Sequence, residues 1–367
     1  MPPSVKSIGQ FSFSECSSLR KITLPTSITK IKDDTFSKCT KLTHIIVPSS
    51  VVSIGNRAFI NCISLAQISG FSSVKTVGNN AFSGCKSLNK IEMLSVEIIG
   101  NGAFNKCSSL TKISIPFKVT EIKDETFKGC SSLKNILLHS SLTLIHRASF
   151  EECMPLKQIT IPSSVTLIDG LAFKDCSSLE QVTFESPSSL KLINHLAFKG
   201  CCLLTQFAIH SNVTELGQSA FAECSLLSRI SLPSCINTIG LNCFYCCSFL
   251  NEITIPSSLV IIESHVFEKC SVLNQINIPS SVTKIKKYTF RKCSNLRQII
   301  IPSTVTYIAN YSFEECLSLS QVFIPSSINH IGIGAFNKCL TLSRITLPPS
   351  INVTKIGVGS NVEVRKS

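Results

Sequence analysis

The chain has 367 residues, 44% of them apolar and only 16% charged. An average globular protein carries about 25% charge, so intrinsic disorder is excluded and a large core can be buried. Lys plus Arg number 35 and Asp plus Glu 22, a balance of +13 that favours acidic surfaces in general and names no single partner. Nineteen cysteines and 22 Phe stand beside four Tyr and no Trp, a skew expected of one template copied many times.

A prior of about 150 residues per domain predicts two domains, but an internal repeat replaces that estimate. Cys16, Cys39, Cys62, Cys85, Cys107, Cys130, Cys153, Cys176, Cys201, Cys224, Cys247, Cys270, Cys293, Cys316 and Cys339 recur every 23 residues, with one interval of 22 and one of 25. A Phe lies three residues before each and a Leu three after, from Phe13 and Leu19 to Phe336 and Leu342, without exception. Ile, Val or Phe follows six after each Cys, and Pro nine after in ten units. A unit this short cannot close a core alone, so the copies must stack and share one apolar interior. The prediction is a single elongated solenoid of about 15 units over 1–357, with a short tail at 358–367.

Within a unit the elements follow in a fixed order. Ile276, Asn277 and Ile278 alternate inward and outward like a short strand, which Pro279 ends by withholding a backbone donor. Ser280 and Ser281 supply a turn, and Val282 to Ile285 form a second extended piece. The Phe-x-x-Cys-x-x-Leu stretch then has an i, i+3, i+6 spacing that suits one helical or 3₁₀ turn facing the interior. About six apolar side chains per unit, at roughly 1.5–3 kcal/mol each when fully buried, offset the ordering of 23 residues only where neighbours cover both open faces.

The cleanest copy, 253–273, reads ITIPSSLVIIESHVFEKCSVL. This pattern resembles the BspA-like class of leucine-rich repeats, matching at its Leu, Ile, Pro, Val, Ile, Phe and Cys positions along nearly the whole chain. The resemblance implies a curved solenoid with a parallel sheet on the concave face and the helical turns on the convex side. It also implies a surface antigen of bacteria or protozoan parasites, and an adhesin binding host matrix proteins such as fibronectin and fibrinogen.

Along the chain, the opening Met1-Pro2-Pro3-Ser4-Val5 has no basic start and no apolar run, and no segment reaches the length of a membrane-spanning helix. With so many thiols this predicts a cytoplasmic protein; the cell surface is the alternative that the resemblance carries. Phe71, Leu94, His139, Glu185 and His210 replace the Pro, the unit ending at Cys107 is one residue short, and two extra residues fall around Glu185. Kinks or bulges of the sheet are expected there. The register cysteines are read as a buried ladder of free thiols, since side chains running parallel into a core neither converge as disulfides nor surround a metal ion. Cys202, Cys235, Cys243 and Cys246 lie off register, and Cys243 to Cys246 matches C-x-x-C only because the unit brings Phe244 and Cys247 with it.

No catalytic motif is present, the five Asp and 17 Glu are dispersed, and the seven His fall mostly at outward or turn positions. The expectation is a non-enzymatic interaction module with no cofactor and no metal, binding a macromolecular partner on its concave face. One outward file of that face runs from Lys21 through Gln275, Gln298 and Gln321 to Arg344; the next runs from Thr23 through Ile300 and Phe323 to Thr346. Ile300 and Phe323 would expose apolar groups that solvation does not explain, and mark the expected contact spot. The strongest basic concentration holds Lys284, Lys286, Lys287, Arg291, Lys292 and Arg297, with Tyr288 among them. It is read as a charged rim open to an acidic protein partner; a chain without Trp and with few Tyr is not expected to bind nucleic acid. A homodimer that buries a terminal repeat is predicted.

Overall fold

The computed structural model describes residues 1–366. They pack as two compact units, Met1–Ser189 and Leu190–Ser367. Each unit repeats one coil, laid parallel upon the next, and each is a β-solenoid of the leucine-rich repeat type.

The coil through Gln298–Ile300 and Tyr307–Ile308 shows the construction. Ile299 points inward and its two neighbours outward, as a period of two requires. Past Pro302 a turn closes with the Val305 N–H donating to the Pro302 carbonyl at 3.0 Å. The Thr304 hydroxyl donates to the Val282 carbonyl of the coil before, also at 3.0 Å. Ile308, Phe313, Cys316 and Leu319 then enter the core in succession, all fully buried.

The turn side departs from a helix in an instructive way. The i→i+3 bonds of a 3₁₀ turn form, Cys316 N–H to the Phe313 carbonyl and Leu319 N–H to the Cys316 carbonyl, both at 3.2 Å. However, Tyr311 (φ 57°) and Glu315 (φ 58°) are left-handed. The N–H groups of Tyr311, Phe313 and Glu315 donate instead to Ile333, Ala335 and Asn337 of the following coil, at 3.0, 2.8 and 2.9 Å. Bonds within the coil alternate with bonds between coils, so no helix propagates and the side opposite the strands is a stack of β-turns.

In the first unit the leading strands His44–Ile46 and Gln67–Ser69 pair in register, as do Lys112–Ser114 with Asn135–Leu137, and Gln158–Ile161 with Gln181–Phe184. The second, two-residue strands form longer ladders, Lys30–Ile31 to Ser53–Ile54 to Thr76–Val77 to Ile98–Ile99. In the second unit Gln275–Asn277, Gln298–Ile300, Gln321–Phe323 and Arg344–Leu347 make one sheet, and Glu363–Lys366 from the tail adds a parallel edge strand to it.

The substituted Pro positions behave differently from one another. At Phe71 the chain turns through a 3₁₀ helix, Phe71–Ser73, behind Gly70 at φ 86°, where a Cβ would lie 1.9 Å from the Val47 carbonyl oxygen. The short coil carrying Leu94 loses its leading strand and keeps a single bridge, Gln67 to Lys90. His139 and His210 follow ordinary three-residue strands, Asn135–Leu137 and Gln206–Ala208.

Three ladders hold the coils together. Phe13, Phe36, Phe59, Phe82, Phe104, Phe127, Phe150 and Phe173 stack with centroids 5.2–5.7 Å apart in the first unit. Phe198 to Phe336 stack at 5.3–5.9 Å in the second. Parallel aromatic pairs of this kind add about 0.5–1.5 kcal/mol each beyond their burial. Next, the register thiols donate to the Phe carbonyl of the coil before, for example Cys62 to Phe36 at 3.0 Å and Cys130 to Phe104 at 3.2 Å. All nineteen cysteines are free. Finally, a carboxylate and amide file crosses the coils on the outside: the Asp33 carboxylate accepts the Asn56 N–H, and the Asn56 and Asn79 side-chain oxygens accept the N–H groups of Asn79 and Asn101, at 2.8–2.9 Å.

The off-register cysteines find their places in these columns. Cys235 occupies the column of Ser164, Ser281 and Ser327, whose hydroxyls donate to a carbonyl 22 residues back; its thiol does the same towards Val213 at 3.0 Å. Cys243 fills the buried position held by Ala220 one coil earlier, before the core Phe. Cys246 takes the left-handed position before Cys247, at φ 59°.

Candidate interaction surface

The leading strands set the surface. Because inward and outward residues alternate, every coil presents two outward side chains there, and parallel register lines them up across coils. Gln275, Gln298 and Gln321 lie in successive coils and lead on to Arg344, which the Glu363 carboxylate holds at 3.0 Å. Beside them Ile300 and Phe323 are directly opposed in register, 75% and 62% exposed. Neither has a core to join.

The basic residues predicted with them sit elsewhere in the coil. Lys284 lies on the second strand, and Lys286 and Lys287 just after it, in a different sheet from Ile300. Lys286 approaches Glu263 at 3.9 Å. Arg291 is engaged within the fold, 2.7 Å from Glu314 and 3.0 Å from Glu268, with its guanidinium over the Tyr288 ring. Burial alone would raise the Glu314 carboxyl, but the hydrogen bonds of Arg291 and Asn337 outweigh it and hold that carboxyl below its ordinary range. A matching knot in the first unit seats Glu151, with a side chain only 7% exposed, between Lys128 and Lys174, both at 3.0 Å. Arg291 therefore knits coils together, whereas Lys287 stays exposed.

A second apolar spot was not anticipated. In the first unit Leu94, Phe117 and Leu137 are 86%, 69% and 68% exposed and line one groove of about 670 Å³. Leu137 stands in the same outward file as Ile300 and Phe323, seven residues after its register Cys, and Leu94 was legible as a lost Pro; Phe117 had no signal, and nothing in the sequence brought the three together. Phe117 stacks on His139, with ring centroids 5.1 Å apart.

Other chemistry is sparse. Among the described residues no group of three or more His, Cys, Asp or Glu is placed to hold a metal ion. No helix among them is long and apolar enough to cross a membrane. Burial pushes the thiols of Cys130 and Cys339 up to about 12, far from a reactive thiolate.

Comparisons with known proteins agree with this architecture. A leucine-rich repeat protein from Bacteroides ovatus is 32% identical over 93% of this chain and 88% of its own, with a TM-score of 0.83. A leucine-rich cell surface protein from Faecalibacterium prausnitzii is 27% identical over 93% of this chain and 83% of its own, with a TM-score of 0.48. A search of curated proteins finds no match. The profile of the BspA type leucine-rich repeat region matches residues 1–111, 97–224, 182–294 and 260–362. With the columns of Phe, Cys and Leu in place from the first coil to the last, the chain belongs to the BspA-type leucine-rich repeat family.

Proposed function

We propose that the chain is a non-enzymatic protein-interaction module that captures its partner on the face of the leading strands. One observation carries the reading: Ile300 and Phe323, paired in register, stand exposed side by side, with the polar Asn277 and Thr346 next to them in the same file. Gln298, Gln321 and Gln275 beside them supply amide donors and acceptors around an apolar centre, the arrangement of a hot spot inside a polar rim. Arg344, in the Gln file beside Phe323, adds charge at its margin, while Lys287 lies apart beyond the second strand. Affinity purification from native lysate with the parent chain and with both apolar residues replaced by Asp tests the idea. Capture should fall while thermal stability changes by no more than about 0.5 kcal/mol, as expected for exposed positions; unchanged capture removes this spot from the site.

A homodimer closed over the half-exposed Phe13 and Leu19 of the first coil belongs to the same proposal, and light scattering from a monomer at micromolar concentration would remove it. The compartment is a separate matter. Fourteen of the fifteen register thiols are buried, which protects them from oxidation in any surroundings, so the cysteine count loses its force as an argument for the cytoplasm. Surface biotinylation of intact cells decides between the cytoplasm and the adhesin reading that the family favours.

A further inference from the structure

We propose that the groove between the short coil and its successor in the first unit binds an extended acidic peptide with one apolar anchor residue. The inference rests on the reading of the leading-strand face as a docking surface, but on residues of the other unit. Three observations converge. First, the short coil brings no strand to the ladder: Lys90 bridges back to Gln67, and no strand pairing joins residues 90–92 to Lys112–Ser114. Backbone donors and acceptors along both walls are thereby left for a ligand, which an extended peptide satisfies better than any other chain conformation. Second, the opening holds about 670 Å³, within the range of sites that take a ligand group. Its walls carry Leu94, Phe117 and Leu137, whose exposure has no role in the fold.

Third, the charge has a sign. Lys90 is taken by Glu92 at 2.7 Å; Lys112 on the groove wall also attracts that carboxylate but makes no ion pair with it, and Lys134, beyond the wall one coil on, has no ion-pair partner among the described residues, so the two walls carry a net positive charge. An extended segment points alternate side chains the same way. An aromatic or aliphatic residue therefore drops between Leu94, Phe117 and Leu137 while flanking carboxylates meet Lys112 and Lys134. The contact is charge-assisted at the rim and dry at the centre.

The test is a random peptide library displayed on phage and selected on the full chain. Selected peptides should carry Asp or Glu around one large apolar residue. Leu94→Ser with Leu137→Thr, both conservative for exposed coil positions, should weaken a synthesised winner about tenfold or more. Lys112→Glu should erase the acidic excess, with melting curves unchanged in all variants. The proposal is overturned if no peptide is enriched, if the winners lack acidic residues, or if the double variant binds them equally. Loss of peptide binding with Ile300→Asp and Phe323→Asp instead would sink this groove and leave the interaction reading standing.

Discussion

Titrating the native chain with a chromogenic disulfide such as Ellman's reagent tests the core arrangement directly. Only Cys16 is exposed, and Cys202, Cys235 and Cys246 are partly so; the other fifteen are buried. Cys339, the most exposed of these, is held back by its burial and by a pKa that burial pushes up to about 12, whereas Cys39, its thiol lowered by the hydrogen bond with Cys62, is protected by burial alone. At pH 8 an ordinary thiol of pKa about 8.5 is about a quarter thiolate, while one at about 12 is ionised about one time in ten thousand. Cys339 should therefore react about two thousand-fold more slowly before any steric hindrance is counted. A fast phase of at most four thiols per chain is expected, Cys16 leading, and the remainder should appear only when denaturant unfolds the coils. A fast phase well above four, or a native chain in which register thiols have already joined as disulfides, would refute a core of parallel, carbonyl-bonded thiols.

Other outcomes follow from single contacts. Replacing Glu151 with Ala removes the buried carboxylate that Lys128 and Lys174 share and should cost about 1–3 kcal/mol in urea unfolding, below the full cost of a buried pair because Lys174 keeps Asp175 at 2.7 Å, Lys128 keeps Glu125 at 3.9 Å, and both reach water. Burial works to raise the Glu151 carboxyl, but the hydrogen bonds of the two lysines win and lower it. Its folded pKa thus lies below the unfolded value, so its stabilisation is complete above about pH 4.3 and is lost as pH falls through the folded pKa; Glu151→Gln should flatten that part of an acid titration followed by circular dichroism. Gly78→Ala would set a Cβ 2.6 Å from backbone atoms of Gly55 and Asn56, and should cost about 1–3 kcal/mol, while Gly359→Ala, with nothing nearer than 3.5 Å, should stay within about 0.5 kcal/mol. Cys235→Ser keeps a donor for the Val213 carbonyl and should melt within about 0.5 kcal/mol of the parent; Cys235→Ala loses that bond and should cost about 1 kcal/mol.

What could be read beforehand followed from burial. Phe13 through Phe336 and the register cysteines obey one period because each coil must present the same volume to its neighbours, and a steric demand repeated fifteen times leaves a column. The left-handed turns left none. Asp34, Lys38, Tyr311 and Glu315 all take positive φ without a glycine to signal it, since bonds to the adjacent coil hold them there. Leu94 was visible as a lost Pro and Leu137 as a member of the outward file of Ile300 and Phe323, but Phe117 was silent and so was the meeting of the three, because a surface assembled across coils draws on different positions of the repeat. Arg291 looked available in a run of basic residues; its partners Glu268 and Glu314 lie 23 residues away on either side, a distance at which charge patterning along the chain says nothing.

The turn column, with donors reaching to the next coil at every second residue, constrains how such a chain can change in length. Removing or duplicating one complete 23-residue copy returns each donor to an acceptor of the same kind, because 311, 313 and 315 meet in 333, 335 and 337 what their counterparts meet elsewhere. A cut of any other size strands them. Evolution is thereby steered towards counting in whole rungs, with smaller gains and losses tolerated only near the Pro position, where the chain around Leu94 and Glu185 has already spent them.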